Sequence, residues 1–149
     1  MFEFIENLSI DVISLTSTGK AHISNESPLF ADHFPDNPVL PGSMLIELAA
    51  QVSGPLAEEI ILQREGGHLW AVVSMVNNAK FLSPVGLPAA IEIRAQLLRS
   101  RSSQLSFKAE AFVNRMTVFR GEIVHTMVRG RDSWRAALEE RNRRLHQWL

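Results

Sequence analysis

Three consecutive stretches of the chain, roughly 89 to 99, 104 to 113 and 116 to 128, alternate apolar and polar side chains in a two-residue period. In the middle one, Leu105, Phe107, Ala109, Ala111 and Val113 alternate with Ser106, Lys108, Glu110 and Phe112. Such alternation suits a strand with one face buried, and long strands joined by short turns imply an antiparallel sheet. "LWAVVSMV" at 69 to 76 predicts a further strand, "LSIDVISL" at 8 to 15 another, and a short one is expected near 21 to 24.

Such a sheet needs an apolar partner, and the chain supplies one long candidate. Positions 44, 45, 48, 49, 52 and 56 are apolar at helical spacing, after a loop rich in Pro, Asp and Asn over 25 to 42. Ser43 is expected to cap this helix, and Pro55 to kink or break it near Gly54 before it resumes toward Arg64. One helix across one face of an antiparallel sheet defines an α+β domain. The tail "RDSWRAALEERNRRLHQWL" has the pattern of a C-terminal amphipathic helix, with Glu139–Arg143 and Glu140–Arg144 at the i,i+4 spacing. Residues 1–131 are therefore read as the domain and 132–149 as a helix added to it.

Composition narrows the function. With 149 residues, 46% of them hydrophobic, the chain can bury a substantial core. A net charge of −1 gives no global field toward nucleic acid or an anionic membrane, although basic residues gather after position 94. The longest apolar run, 38 to 57, is interrupted by Glu47, Gln51 and Gly54-Pro55, which argues against a membrane span. The N-terminus does not read as a signal peptide, so a cytoplasmic location is expected. No cysteine is present, which removes disulfides, thiolate nucleophiles and thiolate metal sites.

One carboxylate stands out. Between Asp36 and Glu58 the only ionisable side chain is Glu47, and its neighbours Met44, Leu45, Ile46, Leu48, Ala49, Ala50 and Val52 suit a buried helix. The stripe Glu47, Gln51, Gly54, Glu58 is also compatible with a plain solvated helix face, and His33 with a structural loop histidine. Gly42 after Pro41 is equally compatible with simple turn chemistry.

Joint spacing favours a functional reading. His33-Phe34-Pro35, Pro38, Pro41-Gly42, Glu47 and Gln51, at their intervals, resemble the signature of the β-hydroxyacyl-acyl-carrier-protein dehydratases of the hotdog fold. "NNAKFLSPV" at 77 to 85 is a weaker echo of the segment leading into that family's long strands. The resemblance covers roughly 8 to 128. It implies a long sheet wrapped around the central helix and dehydration of a 3-hydroxyacyl thioester to the trans-2-enoyl thioester. It also implies His33 as base, Glu47 as the acid serving the departing hydroxyl, and the Gly42 backbone N–H as oxyanion donor. Phe34, Pro41 and Gln51 are implied as substrate neighbours. The implied partners are an acyl carrier protein or coenzyme A thioester and a second copy of the chain, with sites shared between subunits and no cofactor.

The chain departs from the family pattern at "VGLPAAIEI", 85 to 93, where relatives carry a Pro-Gly-Asp turn, and it has no tyrosine to gate an acyl tunnel. Thioester hydrolysis on the same fold and a non-catalytic acyl-binding subunit are the competing readings. A metal at Asp32, His33 and Asp36 is disfavoured because no second histidine stands at ligand spacing. His22, His68, His125 and His146 are expected at surface or satisfied positions. Arg94, Arg99, Arg101, Lys108, Arg115, Arg120, Arg129 and Arg131 form either a basic rim for an acidic carrier or a solvated outer sheet face.

Overall fold

The computed structural model describes residues 4–130 together with Ala136, Glu139, Glu140 and Arg143. Strands β1 (Asn7–Asp11) and β2 (Thr16–Ile23) precede helix α1 (Gly42–Glu65), and β3 (Trp70–Phe81), β4 (Ala89–Arg101), β5 (Gln104–Val113) and β6 (Met116–Val128) follow it. They form one six-stranded sheet in the order β1-β2-β4-β5-β6-β3, antiparallel at every pairing. This is the α+β hotdog architecture expected from the sequence.

The two-residue period explains the core. Ile91, Ile93, Leu105, Phe107, Ala109, Ala111, Phe119 and Ile123 are all buried, as are Leu45, Leu48, Ala49, Val52, Leu56, Ala57, Ile60 and Ile61 of α1. Ala95, Ala109 and Ala111 keep the inner face of β4 and β5 shallow, which leaves room for the helix to lie along the middle of the sheet.

Several expectations are corrected in detail. Ser43 does not cap α1: the helix begins at Gly42 with Pro41 at the N-cap and no side-chain capping bond. Pro55 does not break it. A proline crowds the backbone N–H and the Cβ of the residue before it, and here that residue is Gly54, which has no Cβ and is buried near His125 and Ala71. The helix ends where "EGG" suggested, with Gly66 at φ 71° and its N–H donating to Leu62 O at 2.9 Å.

β1 stops at Asp11 because its carboxylate accepts the N–H groups of Ile13 and Ser14, turning the chain earlier than the apolar pattern indicated. β2 in turn spans Thr16–Ile23 instead of a short piece near 21 to 24. β3 runs on to Phe81, past the expected end at 76, by absorbing irregularities between Val73 and Met75 and between Asn77 and Lys80. The expected C-terminal helix falls largely outside the described residues. Within them, Arg143 pairs with Glu140 at 2.8 Å, an i,i+3 contact.

The outer face of the sheet is a ladder of charge pairs. Arg94 meets Glu92 at 2.7 Å, Glu110 takes both Arg120 at 2.9 Å and Lys108 at 3.4 Å, and Arg99 meets Glu122. Four of the eight basic residues grouped as a possible rim are thus matched by acids on the same face. Among the described residues no helix is long and apolar enough to cross a membrane.

Candidate active site

The loop between β2 and α1 is held by its own backbone and by the segment that precedes β4. Phe30 and Leu40 are buried and anchor its two ends. Leu40 N–H donates to Val85 O at 2.8 Å, Leu87 N–H donates to Pro38 O at 2.9 Å, and Val39 bridges Gly86. The departure noted at 85 to 88 therefore forms a short pairing with residues 38 to 40, and this clamps the stretch leading into α1.

His33 sits on that support. Its backbone N–H donates to Phe30 O at 3.0 Å, and its Nδ1 lies 2.8 Å from Val39 O. A carbonyl oxygen can only accept, so Nδ1 carries the proton and Nε2 presents a lone pair. The imidazole is exposed, with its ring 4.7 Å from that of Phe34, itself 58% exposed.

α1 opens beside this loop. As its first residue, Gly42 has one of the N–H groups that a helix cannot satisfy internally, and among the described residues that N–H has no acceptor. It lies at the positive end of the helix dipole. The ring of Phe81, the last residue of β3, covers this glycine: a Cβ at position 42 would come within 2.9 Å of it. Phe81 packs on Phe119 at 5.5 Å and is still 52% exposed, next to Leu82 at 48%. Its place at the site was not legible, because a phenylalanine ending a strand reads as ordinary core.

Glu47 lies on the exposed side of α1, since Leu45, Leu48, Ala49 and Val52 turn to the sheet. The apolar surroundings anticipated for it are therefore not provided by the single chain. Gln51 Nε2 donates to Glu47 Oε1 at 2.8 Å, and Gln51 Oε1 accepts the Phe4 N–H at 3.0 Å. Gln51, expected beside the substrate, thus has both ends of its amide engaged by the chain. The rest of the stripe is not a solvated face: Gly54 is buried, and Glu58 accepts the Ala71 N–H at 2.9 Å. No hydrogen bond joins His33 to Glu47 within one chain.

A second histidine presents a contrast. His125 on β6 is 1% exposed, with Nε2 2.8 Å from Ser53 Oγ. Ser53 spends its own hydroxyl proton on Ala49 O, at 2.8 Å, so His125 Nε2 is the donor and Nδ1 is left unprotonated. That Nδ1 has no partner among the described residues. Burial pushes the imidazole pKa down to about 4. His125 was expected at a surface or satisfied position; it is buried and satisfied at one nitrogen only. His22 pairs with Glu6 at 2.6 Å on the surface, and His68 is exposed. Among the described residues no three ligating side chains gather as a metal centre would need.

His33 offers an imidazole with a free nitrogen, the start of α1 an unsatisfied N–H beside Phe81, and Glu47 a carboxyl group on the exposed side of the helix, each a group suited to acid-base chemistry or to stabilising an anion. Comparison with known proteins identifies the family. Residues 14–122 match the FabA-like domain, and the chain belongs to that family. It is 31% identical over 113 residues to the 3-hydroxyacyl-acyl-carrier-protein dehydratase FabZ of Agrobacterium fabrum, covering 76% of this chain and 71% of that protein. It is also 31% identical over 126 residues to FabZ of Aeromonas hydrophila, covering 85% and 78%.

Among solved structures, the dehydratase heterocomplex ApeI:P from Xenorhabdus doucetiae aligns with a TM-score of 0.68 at 14% identity, over 91% of this chain and 88% of that one. A hypothetical thioesterase with coenzyme A from Streptococcus pneumoniae aligns at 0.61 and 14% identity, over 86% and 87%. Both likenesses are of fold.

Proposed function

We propose that the chain is a dehydratase that eliminates water from a 3-hydroxyacyl thioester to give the trans-2-enoyl thioester, in fatty-acid or related acyl-chain synthesis. The observation that carries this reading is the tautomer of His33: Val39 O holds the proton on Nδ1 and leaves Nε2 free at the surface. In the reaction Nε2 removes a proton from C2 of the substrate. Charge developing on the thioester oxygen is received by the Gly42 N–H at the start of α1. Glu47 gives its proton to the C3 hydroxyl, the C–O bond breaks, and water leaves. The proton taken by His33 then returns to Glu47 through solvent. No cofactor enters.

A second copy of the chain completes the site. β3 is an edge strand of the sheet, and Val72, Val73 and Met75 along it are 48%, 39% and 52% exposed. An exposed apolar edge favours strand-to-strand pairing, and a two-fold pair would place the same surface of each copy together. In that dimer His33 of one protomer acts with Glu47 of its partner, which accounts for the lack of contact between them in one chain. The names of the relatives support acyl carrier protein as the carrier, and the fold neighbour bound to coenzyme A supports a thioester ligand.

Hydration of a short trans-2-enoyl thioester by the purified protein tests the reading. Loss of enoyl absorbance without release of free thiol is expected on acyl carrier protein, coenzyme A or both. Thiol release would instead assign a thioesterase. Binding of the acylated carrier with no turnover would assign a non-catalytic acyl-binding subunit.

A further inference from the structure

We infer that the N-terminal segment, residues 4 to 6, is a strap that positions the Glu47 carboxyl group through Gln51. The inference rests on Glu47 being the acid of the proposed dehydratase.

The contacts form a continuous relay. Phe4 N–H donates to Gln51 Oε1 at 3.0 Å, and Gln51 Nε2 donates to Glu47 Oε1 at 2.8 Å. Two further observations fix the strap itself. Glu6 N–H donates to Lys20 O at 2.8 Å, which extends the β1–β2 pairing toward the N-terminus. Phe4 and Ile5 pack against the core, and their route is close-fitting: a Cβ at Gly19 would stand 2.6 Å from Val52 Cγ2 and 3.0 Å from Ile5 Cγ2. The segment is thus seated on β2 and α1 at once.

The chemistry of an amide makes this seat consequential. One end of the Gln51 side chain only donates and the other only accepts. A backbone N–H can be satisfied only by the oxygen, so Phe4 orients the amide with Nε2 toward Glu47. Without that donor the Gln51 oxygen loses its tie to the N-terminal segment, and the hold of Nε2 on Glu47 is less firmly fixed. Glu47 lies on an exposed helix face, where a side chain has several rotamers and one hydrogen bond selects among them. Residues far apart in sequence are joined, so the strap acts only in the folded chain.

The test separates the donor from the side chain. Phe4→Pro removes the N–H and Phe4→Leu retains it; both keep an apolar residue. Phe4→Pro is expected to lower kcat about fivefold, the worth of one hydrogen bond, with KM nearly unchanged and with Phe4→Leu at wild-type rate. Gln51→Met is expected to lower kcat at least as far and to speed hydrogen exchange at the Phe4 amide. Added to Glu47→Gln, the Phe4→Pro change should cost nothing more, because the group it positions is gone. Wild-type kcat in Phe4→Pro, or an equal loss in the Glu47→Gln background, overturns the strap alone. Wild-type turnover in Glu47→Gln itself removes the dehydratase reading and the strap with it.

Discussion

The surroundings of His33 and of His125 make a useful pair, because in both an imidazole has one nitrogen engaged and the other left with a lone pair. At His33 the engaged atom is Nδ1, held by a loop carbonyl, and the free Nε2 faces the surface. At His125 the engaged atom is Nε2, bonded to a helix serine, and the free Nδ1 is sealed beneath α1. What distinguishes the proposed base from the core residue is access. An exposed nitrogen in the loop can take up a proton in water, whereas burial disfavours the charged form of the core histidine.

Removing each histidine should therefore fail in different ways. The largest effect is expected at the loop: His33→Ala should lower enoyl hydration by about 10²–10⁴ with the melting temperature hardly changed. Glu47→Gln should lose turnover by orders of magnitude too. Wild-type rates in either variant would break the contrast at once.

The next effect is at the start of α1. Gly42→Ala pushes against a Phe81 ring that is half exposed and free to swing, so it should lower kcat/KM by about ten- to a hundredfold. Little stability should be lost, as chemical denaturation can verify.

His125 should show itself in stability. Its folded pKa lies near 4, below its ordinary 6.5, so the unfolded chain binds the proton more readily. Its stabilising neutrality is complete above about pH 6.5 and is lost as pH falls toward 4, with an expected loss of about 3 kcal/mol. His125→Leu should flatten that dependence, since Ser53 keeps its bond to Ala49 O. An unchanged pH profile in this variant would place the acid lability elsewhere.

The smallest effect is expected on the outer face. Arg120→Gln removes a half-exposed partner of Glu110, and such surface pairs contribute about 0.2–1 kcal/mol. Hydration of a coenzyme A-borne enoyl group should not change in this variant.

How much of this could be read in advance follows from the same contrast. Long periodic segments announced α1 and β4 to β6, because burial on one face writes a period into the side chains. His33, Gly42 and Glu47, the residues of the proposed site, were singled out by joint spacing. Illegible were the features made by backbone groups and tertiary closeness: Val39 O on His33, the Phe4 N–H on Gln51, and the Asp11 carboxylate that ends β1. Pro55 misled because its effect depends on Gly54, and β3 because its irregularities hide a strand's period. The His125–Ser53 pair lies 72 residues apart, with no local pattern to mark it.

The central claim is that His33 of one copy works with Glu47 of another. Its most direct test joins a His33→Ala copy to a Glu47→Gln copy, isolated as a mixed dimer through two different tags, and measures enoyl hydration. The account predicts that two inactive variants recover about half of the wild-type rate, since one of the two shared sites then holds both intact residues. A mixed dimer no faster than either parent would contradict it.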